Sequence, residues 1–213
     1  MSNAIADFIV QNLRLGPVPS LPGIALYTAH PGSRLSRLAG PDDDDPPPPY
    51  WAYQWAGGLA LAQHLAAHPQ AVASKRVLDL GAGSGLVGIA AAQAGAIVSA
   101  AEIDSNGRAA IALNAAANGV ALSLTDIDIA GDPPQGFDLI TAGDVFYNPE
   151  VGLLMLPFLL RCRAAGIDVL VGDPDRRDLP VDRLERVASY AVGDVGDARD
   201  RAERVGTVYR LRP

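Results

Sequence analysis

The sequence is poor in cysteine, in lysine and in long apolar runs. Its single cysteine, Cys162, cannot form an internal disulfide or a multi-thiolate metal site, which favours a cytoplasmic protein over a secreted one. Its single lysine, Lys75, follows a serine, so the chain has no Gly-Lys-Ser/Thr phosphate loop. The longest mostly apolar stretch, 86–101, is interrupted by Gln93 and Gly95, and no positive charge precedes the apolar N-terminal residues. We therefore expect neither a membrane span nor a signal peptide.

Positive charge is also scarce. The 213 residues include 17 Lys and Arg against 24 Asp and Glu, a formal net charge of -7. A surface of that sign repels phosphate backbones unless one face is strongly basic, so nucleic acid is a poor first candidate as substrate. With 49% hydrophobic residues, the chain is long enough for one sizeable domain and too short for two.

A segment rich in helix and strand breakers divides the chain near its first quarter. Residues 40–49 combine four consecutive aspartates with four consecutive prolines, a composition typical of a solvated hinge. We therefore predict an N-terminal extension and hinge over 1–49 and one domain over 50–213. Within the extension, the spacing of apolar residues predicts a helix over 3–15, ended by the Gly-Pro pair that follows, and then a short strand over 24–27.

After the hinge, predicted strands and helices alternate with short connections. The strands are runs of Val, Ile, Leu and Ala, which is typical of a parallel sheet covered on both faces. The predicted strands are 76–80, 97–101, 122–125, 138–142 and 167–171. The predicted helices are 58–67, 85–94, 106–118 and 150–164. The tail, 184–192 and 205–211, predicts a short helix running into one strand and a second strand that pairs with it. We expect an α/β fold with a doubly wound sheet.

The most informative segment is 77–85, which reads Val-Leu-Asp-Leu-Gly-Ala-Gly-Ser-Gly. A buried strand leads here into a glycine-rich turn that opens a helix, and ligands of open α/β sheets bind beyond the carboxyl ends of the strands. Glu102 ends the next strand about twenty residues later, where a carboxylate can accept hydrogen bonds from both ribose hydroxyls of an adenosine ligand. The two segments predict a nucleoside cofactor.

Two cofactors compete for this turn. Residues 83–88 also match the dinucleotide pattern G-x-G-x-x-G, which is a weak signal on its own. A dinucleotide places its pyrophosphate at the helix N-terminus, where Asp79 would repel it. A cofactor that carries an ammonium and a sulfonium would be attracted to Asp79 instead. The charge argument favours S-adenosylmethionine over NAD.

The acidic-x-Gly-x-Gly-x-Gly signature, present as Asp79, Gly81, Gly83 and Gly85, resembles that of the class I S-adenosylmethionine-dependent methyltransferases. The resemblance implies a Rossmann-like, mostly parallel sheet of seven strands with a reversed last strand. It also implies that Asp79 and the three glycines hold the methionine end of the cofactor.

The same resemblance implies cofactor-binding roles for three more carboxylates. It assigns the ribose to Glu102 and the adenine amino group to Asp126 or Asp128, which follow the third predicted strand. The choice between the two aspartates stays open. Asp104 is predicted to cap the next helix rather than to bind a ligand, because Ser and Asn follow it.

The second informative segment, 143–147, reads Gly-Asp-Val-Phe-Tyr and ends the fourth predicted strand, beside the expected position of the methyl group. Asp144 stands where methyltransferases of planar amide or adenine nitrogens often have asparagine. A carboxylate attracts a cationic amine, and the ring of Phe146 or Tyr147 can contact its alkyl stem. An amine acceptor is therefore favoured over an amide. The alternative is that Asp144 caps the following helix and both rings belong to the core.

Three segments carry a second resemblance: 48–58, which reads Pro-Pro-Tyr-Trp-Ala-Tyr-Gln-Trp-Ala-Gly-Gly, 143–147, and 171–176, which reads Val-Gly-Asp-Pro-Asp-Arg. Together they resemble, from about 46 to 180, the lysine methyltransferases that modify the β subunit of electron transfer flavoprotein. The resemblance implies that Asp144 and Tyr147 are the catalytic Asp-x-x-Tyr pair, and that Trp55, with Trp51, belongs to the entry segment of the cofactor site. The family's Gly-Asp-Pro-Gly-Arg segment departs here, because Asp175 replaces its second glycine.

The sequence thus predicts a cytoplasmic protein lysine N-methyltransferase that uses S-adenosyl-L-methionine and releases S-adenosyl-L-homocysteine. The expected partner is a protein with an accessible lysine, with the flavoprotein β subunit as leading candidate, and neither nucleic acid, membrane nor metal is expected. His64 and His68 are predicted to be a surface pair, because no Glu or Cys nearby completes a metal site. The alternatives are a methyltransferase of another protein, such as a ribosomal one, or of a small amine, an NAD-dependent oxidoreductase, and a non-enzymatic scaffold.

Overall fold

The computed structural model describes residues 2–38, 48–192 and 204–213. The helices are α1 (Ser2–Asn12), α2 (Ala56–Ala67), α3 (Leu86–Gln93), α4 (Ser105–Ala117) and α5 (Pro149–Ala164). The strands are β1 (Arg14–Val18), β2 (Leu21–Thr28), β3 (Arg76–Leu80), β4 (Ile97–Ala101), β5 (Ser123–Thr125), β6 (Leu139–Gly143), β7 (Asp168–Asp173), β8 (Leu184–Val192) and β9 (Arg204–Leu211). Within these ranges, no helix combines the length and apolar character needed to cross a membrane.

Seven strands form one sheet in the order β5-β4-β3-β6-β7-β9-β8. Strands β3 to β7 run parallel to one another, whereas β9 is antiparallel to both β7 and β8. The order proceeds outward from β3 in both directions, so the carboxyl ends of β3 and β6 flank the switch point where ligands of such sheets bind. The predicted Rossmann-like, doubly wound fold with a reversed last strand is confirmed.

The sheet is buried on both faces because its central strands are mostly apolar where they meet helices. Val77 packs with α2 and α3 on one face, and Leu78, the next residue of β3, packs with α5 on the other. This follows from the alternation of side chains along a strand. A third cluster joins α1 to α4, with Ile9 of α1 packed near the buried Trp51. The N-terminal extension is thus in contact with the sheet's helical layer.

The extension differs from its prediction. The predicted helix is too long, because α1 ends at Asn12, and Gly16 and Pro17 lie inside β1. Strand β1 pairs antiparallel with β2 alone, with an irregular register at Pro17. Proline is tolerated there because an edge strand leaves backbone positions that need no donor. The predicted hinge over 40–49 lies, apart from its last two residues, outside the described residues.

The tail forms the predicted antiparallel hairpin from β8 and β9. The predicted short helix within 184–192 is wrong, since that range is strand throughout and is preceded by a 3₁₀ turn at Val181–Arg183. Strand β8 lies at the edge of the sheet and is mostly exposed or half-buried, with an irregular register after Arg186. An edge strand with a bulge lacks the continuous apolar run that identified the central strands.

His64 is buried, so the predicted surface pair is wrong. Its exposed fraction is 8%, and its Nδ1 lies 2.9 Å from the Tyr190 hydroxyl on β8. The ring of His68 lies 4.6 Å away between centroids. Burial lowers the pKa of His64, and the charges of His68 and Arg210 lower it further. In the part of the chain that the structure describes, no group of three His, Cys, Asp or Glu side chains is placed to hold a metal ion.

We predict that His64 makes folding less favourable as the pH falls. The unfolded chain takes up a proton near pH 6.5, which the buried imidazole resists, so its contribution to stability is lost from that pH downward. His64→Gln should therefore show a smaller loss of unfolding free energy between about pH 7.5 and pH 5.5 in urea titrations. Tyr190→Phe is the control, because it removes the hydroxyl and leaves the imidazole buried. A wild-type slope in His64→Gln would contradict the prediction.

Candidate active site

The turn between β3 and α3 has three glycines in the left-handed region of φ. The φ angles are 69° at Gly81, 55° at Gly83 and 81° at Gly85. Side chains disfavour this region, so the Gly-x-Gly-x-Gly spacing is what allows the chain to turn from β3 into α3. The amides of Gly81 and Ala82 both donate to the Ala101 carbonyl at 3.0 Å, which fixes the turn against the end of β4.

Asp79 lies beneath this turn and is 1% exposed. Its Oδ2 accepts the Gly88 amide of α3 at 2.8 Å, and its Oδ1 accepts the Thr141 hydroxyl of β6 at 3.2 Å. Burial raises the pKa of Asp79 to about 7, against the lowering effect of both hydrogen bonds. The side chain therefore connects the first turn of α3 to strands β3 and β6. Its carboxyl group titrates close to neutral pH.

Glu102 directly follows β4 and is half-buried beside the glycine turn. Its Oε2 accepts the Gly83 amide at 2.8 Å, and its Oε1 accepts the Asp104 amide at 2.9 Å. These two bonds fix the orientation of the carboxylate. Asp104 caps α4 as predicted, because its Oδ1 accepts the Asn106 amide at 2.7 Å.

Asp126 and Asp128, the two candidates for binding the adenine amino group, make different contacts. Asp126 directly follows β5, and its Oδ1 lies 2.7 Å from Arg108 Nη1. The same guanidinium donates to the Glu102 carbonyl at 3.2 Å, so Asp126 and Glu102 are joined through Arg108. Asp128 accepts the Ala130 amide at 2.9 Å and stabilises a local turn. The contacts therefore bring Asp126, rather than Asp128, into the neighbourhood of Glu102.

Asp144 directly follows β6 and is held from several sides. Its backbone φ is 58°, which is uncommon for a residue with a side chain and costs on the order of 1–3 kcal/mol. Its amide donates to the Gly172 carbonyl at 2.8 Å. Its Oδ2 accepts the Gly58 amide at 2.7 Å, and its Oδ1 accepts Arg176 Nη1 at 2.6 Å. Burial raises the pKa of Asp144, while Arg176 and the amides of Gly58 and Gly57 oppose the rise.

Arg176 pairs with two aspartates, the half-buried Asp144 and the buried Asp173, a role that the sequence analysis did not assign to it. Besides Asp144, it reaches Asp173 Oδ2 at 3.0 Å, and its own amide donates to Asp173 Oδ1 at 2.6 Å. Burial raises the pKa of Asp173, which has no exposed surface, and Arg176 opposes this. Burial likewise disfavours the charge of Arg176, yet the two carboxylates keep its pKa above the ordinary value. An Arg three residues after a strand-end Asp was the available sequence signal.

Asp175, the residue that departs from the family pattern, has a φ of 64°. The Tyr209 hydroxyl on β9 donates to its Oδ1, and Arg186 Nη2 on β8 lies 3.1 Å from its Oδ2. Aspartate tolerates left-handed φ better than most residues. The two contacts fix Asp175 to the C-terminal hairpin in the conformation that a glycine would adopt freely.

Aromatic side chains line the outer part of the site. Trp55 donates from Nε1 to the Tyr50 carbonyl at 2.8 Å, and the two rings lie 5.7 Å apart between centroids. Tyr50 also lies 5.3 Å from Tyr147, which is 45% exposed. Burial raises the pKa of Tyr147, and the neighbouring Tyr50 and Glu102 raise it further. Tyr50, which the sequence analysis did not single out, thus connects the two predicted aromatic residues.

The alternative interpretation of residues 143–147, in which Asp144 caps α5 and both aromatic rings belong to the core, is only partly correct. Asn148, not Asp144, caps α5, because its Oδ1 accepts the Val151 amide at 2.8 Å. Phe146 is a core residue, 1% exposed. Trp51 is likewise buried, at 2% exposed. Tyr147 and Trp55 are therefore the members of their respective pairs that remain near the surface of the site.

A small, open cavity of about 50 Å³ lies between these elements. Its lining comprises Tyr53, Gln54, Trp55, Gly58, Asp79, Gly81, Ala82, Gly83, Ser84, Leu86, Val87, Gly143 and Asp144. None of these lining residues is basic, and two are aspartates. The predicted residues Glu102, Gly85 and Tyr147 border this set, and Gly85 packs against Ile111 of α4.

The donors and acceptors of this cavity fit a cationic nucleoside better than a dinucleotide. The amides of Gly83 and Gly88, which would face a pyrophosphate, already donate to carboxylates. In their ionised forms, the two aspartates would repel a diphosphate and attract the ammonium and sulfonium of S-adenosylmethionine. The residues present therefore fit S-adenosylmethionine.

Residues 52–182 match the family model described as lysine methyltransferase. The chain belongs to the lysine methyltransferase family. It is 35% identical to the electron transfer flavoprotein β subunit lysine methyltransferase of Xenopus laevis over 97% of this chain and 87% of that one. The Danio rerio protein of the same description is 36% identical over 89% of this chain and 76% of its own length.

The fold of this lysine methyltransferase is shared with magnesium protoporphyrin IX methyltransferase from Synechocystis, solved with S-adenosylmethionine bound. The two structures have a TM-score of 0.51 and 19% identity, covering 71% of this chain and 78% of the other. The family and the fold together make the protein an S-adenosylmethionine-dependent methyltransferase, so the oxidoreductase and scaffold alternatives are wrong.

We predict that a methyl group at Gly83 blocks the cofactor. Gly83 lines the cavity, and the nearest atom to an added Cβ is Trp51 Cα at 3.9 Å, so Gly83→Ala meets no protein obstacle. Gly119→Ala is the matched control, because Gly119 also has a positive φ of 65° and nothing within 4 Å. Both variants should lose about 1–2 kcal/mol of stability in urea unfolding.

Only Gly83→Ala should weaken the binding of S-adenosylhomocysteine in calorimetry, by roughly tenfold or more, the equivalent of an overpacking cost of about 1–3 kcal/mol. Equal affinities in the two variants would show that the cofactor does not occupy the glycine turn.

Proposed function

We propose that this enzyme methylates the ε-amino group of a lysine on the β subunit of electron transfer flavoprotein. The observation that carries the proposal is the partly buried cluster in which Asp144 and Asp173 share the guanidinium of Arg176. With both carboxylates ionised the cluster has a net charge of -1, and a partly buried charge of that kind favours a cationic partner. The Xenopus and Danio relatives, named for that flavoprotein subunit, support the choice of substrate.

The chemistry requires a neutral amine and a methyl group held in line. S-adenosylmethionine supplies an electrophilic methyl group on its sulfonium. A free lysine has a pKa near ~10.4 and arrives protonated. Asp144 attracts this ammonium, because Oδ1, the oxygen that accepts Arg176, has a second lone pair. The amine loses its proton to water before attack, and the enzyme contributes positioning and desolvation.

The aromatic residues supply the walls along which the lysine stem reaches Asp144. Trp55 lines the same cavity as Asp144, and Tyr147 is linked to it through Tyr50. An aromatic face attracts an ammonium by about 0.5–1 kcal/mol at exposed sites, and more where water is excluded. Asp144 and Tyr147 are therefore the proposed catalytic pair, with Tyr50 as an additional contact for the substrate.

The cofactor roles are proposed on the same grounds. Asp79, Gly81 and Gly83 line the cavity and suit the methionine end, and Gly85 completes the turn. Glu102 suits the ribose, because its carboxylate is fixed beside Gly83. Asp126 is favoured over Asp128 for the adenine amino group, since Arg108 joins it to Glu102.

The proposed partner is a folded protein rather than nucleic acid, a membrane or a metal ion. The formal charge of -7 disfavours phosphate-rich partners and attracts a lysine-bearing segment. We place the enzyme in the cytoplasm because its single cysteine cannot form an internal disulfide. The division into an extension and hinge over 1–49 and a catalytic domain over 50–213 is retained as part of the proposal.

Asp144→Asn should lose activity while keeping the cofactor. The amide preserves the shape and removes the charge that orients the ammonium, so kcat/KM for the flavoprotein subunit should fall by roughly ten- to a hundredfold, or ~1.5–3 kcal/mol. Calorimetry should give nearly unchanged affinity for S-adenosylhomocysteine. Asp178→Asn, which removes the same charge from an exposed position in the segment after β7, is the control. Undiminished methyl transfer in Asp144→Asn would assign that residue a structural role.

The substrate is tested directly with radiolabelled S-adenosylmethionine. We expect label in purified electron transfer flavoprotein β subunit, and loss of that label when its accessible lysines are changed to arginine. If a ribosomal protein from a lysate were labelled in place of the flavoprotein subunit, the enzyme would still be a protein methyltransferase, but its substrate would be that ribosomal protein. Label confined to small amines, tRNA or rRNA would overturn the protein-lysine assignment. The signal should also fall as salt rises, because charges beyond ~10 Å are screened at 0.1 M ionic strength.

A further inference from the structure

Asn114 is a fully buried side chain that connects the N-terminal hairpin to the glycine turn. It lies on α4 and has no exposed surface. Its Oδ1 accepts the Tyr27 amide of β2 at 2.8 Å, and its Nδ2 donates to the Ser84 carbonyl at 2.8 Å. One amide group therefore joins the extension to the turn between β3 and α3.

Asn118, one helical turn further along, makes the contact to β2 but not the contact to the glycine turn. Its Oδ1 accepts the Ala25 amide at 2.8 Å, and its Nδ2 donates to the Ala25 carbonyl at 2.7 Å and to the Asn114 carbonyl at 2.7 Å. Ala25 and Tyr27 lie two residues apart on β2, so their backbone groups point to the same edge of the strand. The two asparagine side chains bind this edge, where a further strand would otherwise pair. Asn118 contacts the hairpin without contacting the glycine turn.

The chemistry of the site at Asn114 selects an amide side chain. A backbone N–H needs an acceptor and a backbone carbonyl needs a donor, and an asparagine supplies one of each from a single planar group. The Ser84 carbonyl belongs to the peptide that joins Ser84 to Gly85. Its direction therefore sets the orientation of the turn between Gly83, whose amide is bound to Glu102, and the start of α3.

The same face of α4 supports the turn at two more positions. A Cβ added to Gly107 would lie 2.9 Å from Glu102 Cγ, and one added to Gly85 would lie 3.3 Å from Ile111 Cγ1. Gly107, Ile111 and Asn114 are spaced four and then three residues apart, which places them on one side of a helix. This side of α4 is thus the surface on which the glycine turn and Glu102 lie.

We propose that Asn114 is a positioning residue for S-adenosylmethionine. It holds the Ser84 carbonyl, and with it the glycine turn, in the cofactor-binding arrangement, and it makes that arrangement depend on the docked hairpin β1-β2. The inference rests on the cofactor of the proposed function and not on its protein substrate. By linkage, cofactor binding must stabilise the docked hairpin as much as the docked hairpin favours cofactor binding.

The test compares Asn114→Ala with Asn118→Ala in the full-length protein. Both variants remove a side chain that binds the edge of β2, and only Asn114→Ala releases Ser84. We expect the Kd of S-adenosylhomocysteine in calorimetry to rise about tenfold in Asn114→Ala and by less than about twofold in Asn118→Ala. Equal affinities in the two variants would overturn the proposal.

A second measurement uses the unaltered protein and so does not depend on a variant that folds. Hydrogen exchange is followed at the Tyr27 amide, whose acceptor is Asn114, and at the Ala25 amide, whose acceptor is Asn118. Saturating S-adenosylhomocysteine should slow exchange more at Tyr27 than at Ala25. Equal slowing, or none at Tyr27, would contradict the coupling. Failure of the flavoprotein subunit as substrate would leave both readouts unchanged, so the two proposals fail separately.

Discussion

The first turn of α2 lies against the ends of β6 and β7 at a distance that only glycines allow. A Cβ added to Gly57 would lie 2.1 Å from the Gly172 carbonyl oxygen, and one added to Gly143 would lie 3.0 Å from Gly58 Cα. This approach brings the Gly58 amide to Asp144 and fixes that carboxylate at the mouth of the cofactor cavity. The charged cluster around Arg176 is built on the same contact, because Asp144 could not keep its left-handed backbone without these partners.

The centre of the sheet could be predicted from the sequence because each central strand is a continuous apolar run buried on both faces. Strands β8 and β1 could not be predicted in the same way. Strand β8 is bulged and partly exposed, and β1 contains Gly16 and Pro17, which break helices and strands alike. In such segments local propensity gives no preference, and pairing with a neighbouring strand decides the structure.

The cofactor side of the site could be predicted because its residues lie in one local motif between β3 and α3. The pairings across the molecule could not. Arg176 is 32 residues from Asp144, and Asn114 is 87 residues from Tyr27. A periodic pattern tells which face of an element is buried, but it carries no information about which distant polar group will meet a given side chain. Only the assembled fold gives these two side chains their partners.

Asp175 couples substitutions in the loop after β7 to substitutions in the C-terminal hairpin of β8 and β9. A change of Asp175 to glycine would relieve the backbone but leave the Tyr209 hydroxyl, on a side chain that is 6% exposed, without its acceptor. Loss of Tyr209 first would leave Asp175 strained with one contact fewer, through Arg186 alone. Either change is costly alone and less costly with the other, which is the signature of a coupled pair. Among related sequences, the two positions are therefore expected to change together.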